Sequence, residues 1–174
     1  MAKAKSQSRN SPDIVIITGL SGSGMTAATN TFEDLDYFCV DNMPLMLLPT
    51  FARLVSAQED AKGRIERAAL VISFREGRFL TDFAKQLRVL RARGLRVSVI
   101  FFEASDEILA RRFSETRRPH PADRGKGLFD AIGAERAVMK RARALADQLW
   151  AQVRPATGLG AAVRCAASTE SFFC

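Results

Sequence analysis

The sequence predicts a three-layer α/β domain built on a mainly parallel sheet. Three observations carry that prediction. Apolar, strand-sized runs alternate with segments of helical periodicity along most of the chain. Those runs are almost continuously hydrophobic, as strands buried on both faces are. A glycine-rich loop joins the first run to the first helical segment.

The elements follow in order. The β-branched run 13–18 is the first strand, and the segment 26–35 after the loop is the first helix. Strand 37–40 and helix 45–57 come next, then strand 69–74. Helix 79–93 places Phe79, Leu80, Phe83, Leu87 and Leu90 on one face and Arg88 and Arg91 on the other, with Gly94 to close it. Strand 97–102 is the fourth. Ser105, Asp106 and Glu107 read as a helix start, a capping hydroxyl followed by first-turn acids, and that helix runs through Phe113. A basic, proline-containing loop continues to Gly127, and a long helix spans 128–149. The segment 150–174 has neither period, so the sheet is expected to be incomplete at its C-terminal strand. The expected organisation is a polar leader at 1–12, one domain at 13–149 and an atypical tail at 150–174.

Composition bounds the function. With 174 residues, 47% hydrophobic and 26% charged, the chain suits one globular domain with a real core. No apolar run reaches membrane-spanning length and no secretory core is visible, so the expectation is a cytoplasmic protein without a membrane partner. Three cysteines without a C-x-x-C pair and a single histidine argue against a disulfide framework, a zinc site or histidine-based nucleophilic chemistry. Cys39 reads as a buried structural thiol, and His120, between two prolines, as a loop residue. The net charge of +7 suits polyanions such as nucleotides, RNA or acidic proteins, but many basic domains merely carry solvated arginine faces, and that reading is preferred until a patch is shown.

The loop itself, Gly19-Leu20-Ser21-Gly22-Ser23-Gly24-Met25-Thr26, matches the phosphate-binding pattern G-x-x-x-x-G-K-[ST] at all but one position. Its glycines permit close backbone approach, and the N–H groups of loop and helix start converge on phosphates. These eight residues are therefore the candidate contacts for ATP or GTP, with the Thr26 hydroxyl as a ligand for Mg²⁺. Met25 stands where a lysine would reach the outer phosphates. Its missing charge should weaken binding by about 1.5–3 kcal/mol and turnover more, because charge builds on the phosphates in the transition state. Arg75, Arg117 and Arg118 are candidates to supply a replacement cation.

Two further motifs face the same chemistry. Asp41-Asn42-Met43-Pro44 ends the second strand at the carboxyl edge where doubly wound folds bind ligands. Asp41 is a candidate to hold Mg²⁺ through water, orient an attacking water or contact a second substrate, and Asn42 a neighbouring nucleotide contact; both are also ordinary turn residues before proline. The arginine-rich stretch 111–118 resembles the lid of nucleoside-type kinases, where an arginine such as Arg117 closes over phosphates and acts as a catalytic finger. A surface for RNA phosphates and a plain solvated loop are the alternatives.

Four stretches taken together, Thr18–Gly24, Phe32–Leu35, Tyr37–Pro44 and Arg111–Pro121, resemble the RapZ/YvcJ family of P-loop nucleotide-binding proteins, which includes an RNase adapter acting on small RNA. The resemblance implies a P-loop NTPase- or kinase-like domain that binds ATP or GTP in a regulatory role, with weak nucleoside triphosphatase activity. RNA and a regulatory protein are the partners it implies. The family carries lysine at Met25, and an aspartate where this chain reads Ser73-Phe74-Arg75; its members also continue into a second domain. Here the matching sequence stops near Leu149, as a truncated or shifted reading frame would produce. A binding-only degenerate NTPase, an RNA-binding adapter and a small-molecule kinase remain the alternative functions.

Overall fold

In the computed structural model of the chain, residues 12–57, 64–73, 79–153 and 162–167 are described. They form the strands β1 (Asp13–Gly19), β2 (Phe38–Val40), β3 (Arg67–Val71), β4 (Arg96–Ala104), β5 (Gln148–Val153) and β6 (Ala162–Ala167). The helices are α1 (Met25–Asp34), α2 (Leu48–Ala57), α3 (Phe79–Ala92), α4 (Asp106–Thr116) and α5 (Leu128–Leu145), with a 3₁₀ turn at Leu45–Leu47.

One sheet holds all six strands in the order β2-β3-β1-β4-β5-β6. The first five are parallel, and β6 runs antiparallel to β5. The apolar run of the first strand is thus the sheet's centre, with Ile16 paired to Leu70 on one side and Val99 on the other. Its pleat divides the core. Ile14 and Ile16 face a large cluster with Leu48, Phe83, Leu109 and Ile132 from α2, α3, α4 and α5, whereas Val15 and Ile17 face a smaller one with Phe32 of α1. Each such fully buried aliphatic side chain contributes about 1.5–3 kcal/mol, more than any single surface ion pair. The predicted three-layer α/β architecture is present.

Helix ends follow local chemistry. Gly94 closes α3 at φ +81°, donating to Arg91 O at 3.0 Å while Leu95 donates to Leu90 O at 3.3 Å. That pair of bonds is a Schellman motif, and buried Leu95 supplies its apolar contact. The start of α2 is later than predicted, because residues 45–47 coil as a 3₁₀ turn; Pro49 then falls in the first helical turn, where its missing N–H costs nothing. Ser105 takes the N-cap position of α4, but its hydroxyl makes no capping bond. The third strand is observed at Arg67–Val71, two residues earlier than predicted, and Phe74 and Arg75 lie outside the described residues.

The expectation of an incomplete sheet is corrected. The last helix stops at Leu145, and β5 pairs with Ile100–Ala104 of β4, supplying the fifth parallel strand. Asp147 docks it: its backbone N–H donates to Val99 O at 2.9 Å, and its carboxylate accepts from Val99 N–H at 2.8 Å and Arg91 Nη2 at 2.6 Å. Leu149 then packs on the large core and Trp150 on the small one. Cys39 is half-buried rather than fully buried, with Sγ 3.7 Å from Thr29 O. Among the described residues no helix is long and apolar enough to cross a membrane, and no group of three His, Cys, Asp or Glu side chains could hold a metal.

Candidate functional site

The site begins where β1 ends. Gly19 passes so close to β4 that a Cβ there would lie 2.1 Å from Phe102 O. Leu20 N–H donates to that same oxygen at 2.9 Å, and its side chain is buried, which fixes where the loop leaves the sheet. The loop then tightens, with Ser23 N–H donating to Leu20 O at 3.0 Å. Gly22 and Gly24 take φ of +80° and +105°, the left-handed region that favours glycine. Gly24 is the N-cap of α1, which has no side-chain cap and no acid in its first turn. Its leading N–H groups, with the positive end of the helix dipole behind them, suit an anion.

A cavity of about 480 Å³ opens beside the loop. Gly19, Ser21 and Met25 line it, together with Ser73 beyond the end of β3 and Arg124 and Lys126 of the segment between α4 and α5. Met25, half-buried at the first position of α1, therefore faces the space that a lysine in its place would enter. Arg112 of α4 braces the loop from outside, its Nη1 donating to Gly22 O at 2.6 Å.

Three acids line the cavity, Asp123, Asp130 and Glu135, and it is Glu135 that bonds the loop. Glu135 of α5 accepts from Ser21 N–H at 2.9 Å through one carboxylate oxygen and from the Ser21 hydroxyl at 2.6 Å through the other. Beside it, His120 is buried, packs against Phe113 with ring centroids 4.6 Å apart and the rings tilted by 56°, and accepts the Ala122 N–H on Nδ1 at 3.1 Å. With Nδ1 accepting, the hydrogen-bond network assigns the neutral ring's proton to Nε2, which stands 3.4 Å from Glu135 Oε2 without a well-aligned bond. The lone histidine is thus a packed anchor of the segment between α4 and α5.

The remaining predicted residues are more dispersed. Thr26 is exposed at the second position of α1. Asp41 and Asn42 follow β2, the edge strand, with β3 between them and the loop's strand. Asp41 is exposed and accepts the Asn42 N–H at 2.8 Å, while Asn42 takes a φ of +51°, so turn chemistry is visible at both. Arg117 ends α4 in the left-handed region and, with Arg118, lines a separate cavity of about 350 Å³ next to His120. The cations brought to the loop's own cavity are Arg124 and Lys126, which sequence reasoning passed over. Gly125 and Gly127, at φ +83° and +99°, turn the chain there, and their spacing was the available signal.

Residues 12–153 match the RapZ-like N-terminal domain, a span that reaches the end of β5. A nucleotide-binding protein of Myxococcus xanthus is 46% identical over 136 residues, and one of Anaeromyxobacter dehalogenans is 44% identical over 139. Those matches cover 78% and 79% of this chain and 46% of each relative, so the chain spans about half the length of the curated relatives it matches. Among solved structures, shikimate kinase from Acinetobacter baumannii is similar at a TM-score of 0.49 and 12% identity, covering 87% of both chains.

Proposed function

The chain belongs to the RapZ-like N-terminal domain family, and from that premise we propose that it is a regulatory binder of nucleoside triphosphates, ATP or GTP. One observation carries the reading. The loop Gly19–Thr26 runs from the central strand into an uncapped helix N-terminus and opens on a cavity rimmed by Arg124 and Lys126. Phosphates would rest on the backbone N–H groups of the loop and of the first turn of α1. Thr26 is the proposed ligand for Mg²⁺, with Asp41 reaching the ion only through water. The relatives at 43–46% identity that carry the name nucleotide-binding protein support this.

Slow hydrolysis is the activity proposed for such a site, and it is a weak one. Met25 brings no charge to the outer phosphates, and Ser73 offers no carboxylate to the metal at the end of β3. Calorimetric titration with ATP and GTP, with and without Mg²⁺, tests the reading on the wild type and on Thr26→Ala. Binding that needs Mg²⁺ and weakens severalfold in Thr26→Ala is expected. Absence of binding to either nucleotide overturns it.

A second reading, an RNA-binding adapter, is favoured by exposed Arg117 and Arg118 and the net charge of +7. RNA retention that falls steeply with salt and ignores Thr26→Ala would establish it in place of the first.

A further inference from the structure

Glu135 has no place in the chemistry above, yet it occupies the loop. Its two carboxylate oxygens hold both the backbone N–H and the hydroxyl of Ser21. Its side chain is only 13% exposed, and the cavity it lines is the one Met25 lines, where the outer phosphates of a bound nucleotide are expected. The helix fixes it there. Ala131, Ile132, Met139 and Ala142 bury α5, and the adjacent Arg136 donates to Ala104 O at 2.9 Å and pairs with Asp106.

A carboxylate and a terminal phosphate offer the same thing to Ser21, a negatively charged acceptor. Two anions cannot share one N–H in a partly enclosed cavity without repulsion. We propose that Glu135 is a specificity-determining residue of the phosphate site: it stands in for the terminal phosphate, so a nucleoside triphosphate must displace it while a nucleoside diphosphate leaves it on Ser21. The inference rests on the phosphate-loop reading and adds to it a cost that only the terminal phosphate of a triphosphate meets.

The test is calorimetry with ATP and ADP on the wild type and on Glu135→Gln, which keeps size and helix while removing the charge. Releasing a charged acceptor from two hydrogen bonds should tighten ATP binding at least about tenfold and leave ADP within about twofold. In the wild type, ATP should move the Ser21 amide resonance further than ADP does. Equal tightening for both nucleotides overturns the assignment to the terminal phosphate. Weaker ATP binding in Glu135→Gln overturns the competition itself, because Glu135 would then be assisting the ligand. If neither protein binds either nucleotide, the phosphate-loop reading fails first and takes this inference with it.

Discussion

Replacing Met25 by lysine should convert a weakened phosphate site into a strong one. Met25 is the first residue of α1, half-buried, and borders the smaller core on one side and the 480 Å³ cavity on the other. A lysine stem covers the same apolar surface as the thioether chain and carries its ammonium into the cavity. One charge-assisted hydrogen bond to a phosphate contributes about 1.5–3 kcal/mol, which corresponds to roughly ten- to 150-fold in Kd. Calorimetry with Mg·ATP and Mg·GTP measures it directly. Thermal unfolding gives an independent check: at ligand saturating both proteins, that difference adds about 3–12 °C to the melting shift of the variant. A folded Met25→Lys protein whose Kd is unchanged refutes the reasoning, since the side chain at this position would then face something other than a phosphate.

Three other outcomes follow from the geometry. Gly19→Ala places a Cβ 2.1 Å from Phe102 O, a backbone atom that cannot swing aside, so it should cost more than about 3 kcal/mol in urea unfolding; a loss under 1 kcal/mol would contradict the close approach. Asp147→Ala leaves Val99 N–H without its acceptor and loosens β5, which should cost about 1–3 kcal/mol and increase self-association through the exposed edge of β4; an unchanged unfolding midpoint would contradict that docking role. Stability should also fall on the alkaline side. Burial first, then Asp13, raises the Tyr37 pKa, and burial, then Glu33, raises that of Cys39. Both groups hold their protons more tightly when folded, so their contribution is complete below the unfolded values, about 8.5 for cysteine and 10 for tyrosine, and is lost as pH rises through the folded ones. Unfolding free energies between about pH 8 and 11 should show this decline, with a smaller slope in Tyr37→Phe; an identical slope would remove Tyr37 as a cause.

The centre of the molecule was legible because its signals are local. Four β-branched or apolar strands, a glycine loop and a Schellman glycine each declare themselves within a few residues. β5 was not legible, since Gln148–Val153 follows directly on an 18-residue helix and its side chains are half-buried through Ala151. Its pattern, Leu149 to one core and Trp150 to the other, exists only once β4 is beside it. The candidate site divides in the same way. The loop could be read from spacing alone, whereas Arg124, Lys126 and Glu135 reach it from parts of the chain about 100 residues away, through a double turn and a helix face that in sequence look like solvent-exposed charge.

Met25 and Glu135 belong to one electrostatic argument. On the proposed reading the first withholds a positive charge from the cavity and the second adds a negative one to those of Asp123 and Asp130, so both should lower affinity for a terminal phosphate and leave binding to backbone N–H groups and to Arg124 and Lys126. Their effects should not add. A lysine at position 25 would pair with Glu135 in the unliganded protein and so enter the complex already partnered, which holds the gain of Met25→Lys to the lower part of its range. In the Glu135→Gln background the same lysine has no such partner and should gain more. Residues that share a cavity couple by about 0.5–3 kcal/mol, so the double variant should bind ATP tighter than the product of the two single effects by at least about twofold. A coupling indistinguishable from zero would mean that the two side chains never meet the same phosphate, and that Glu135 secures Ser21 for structural reasons alone.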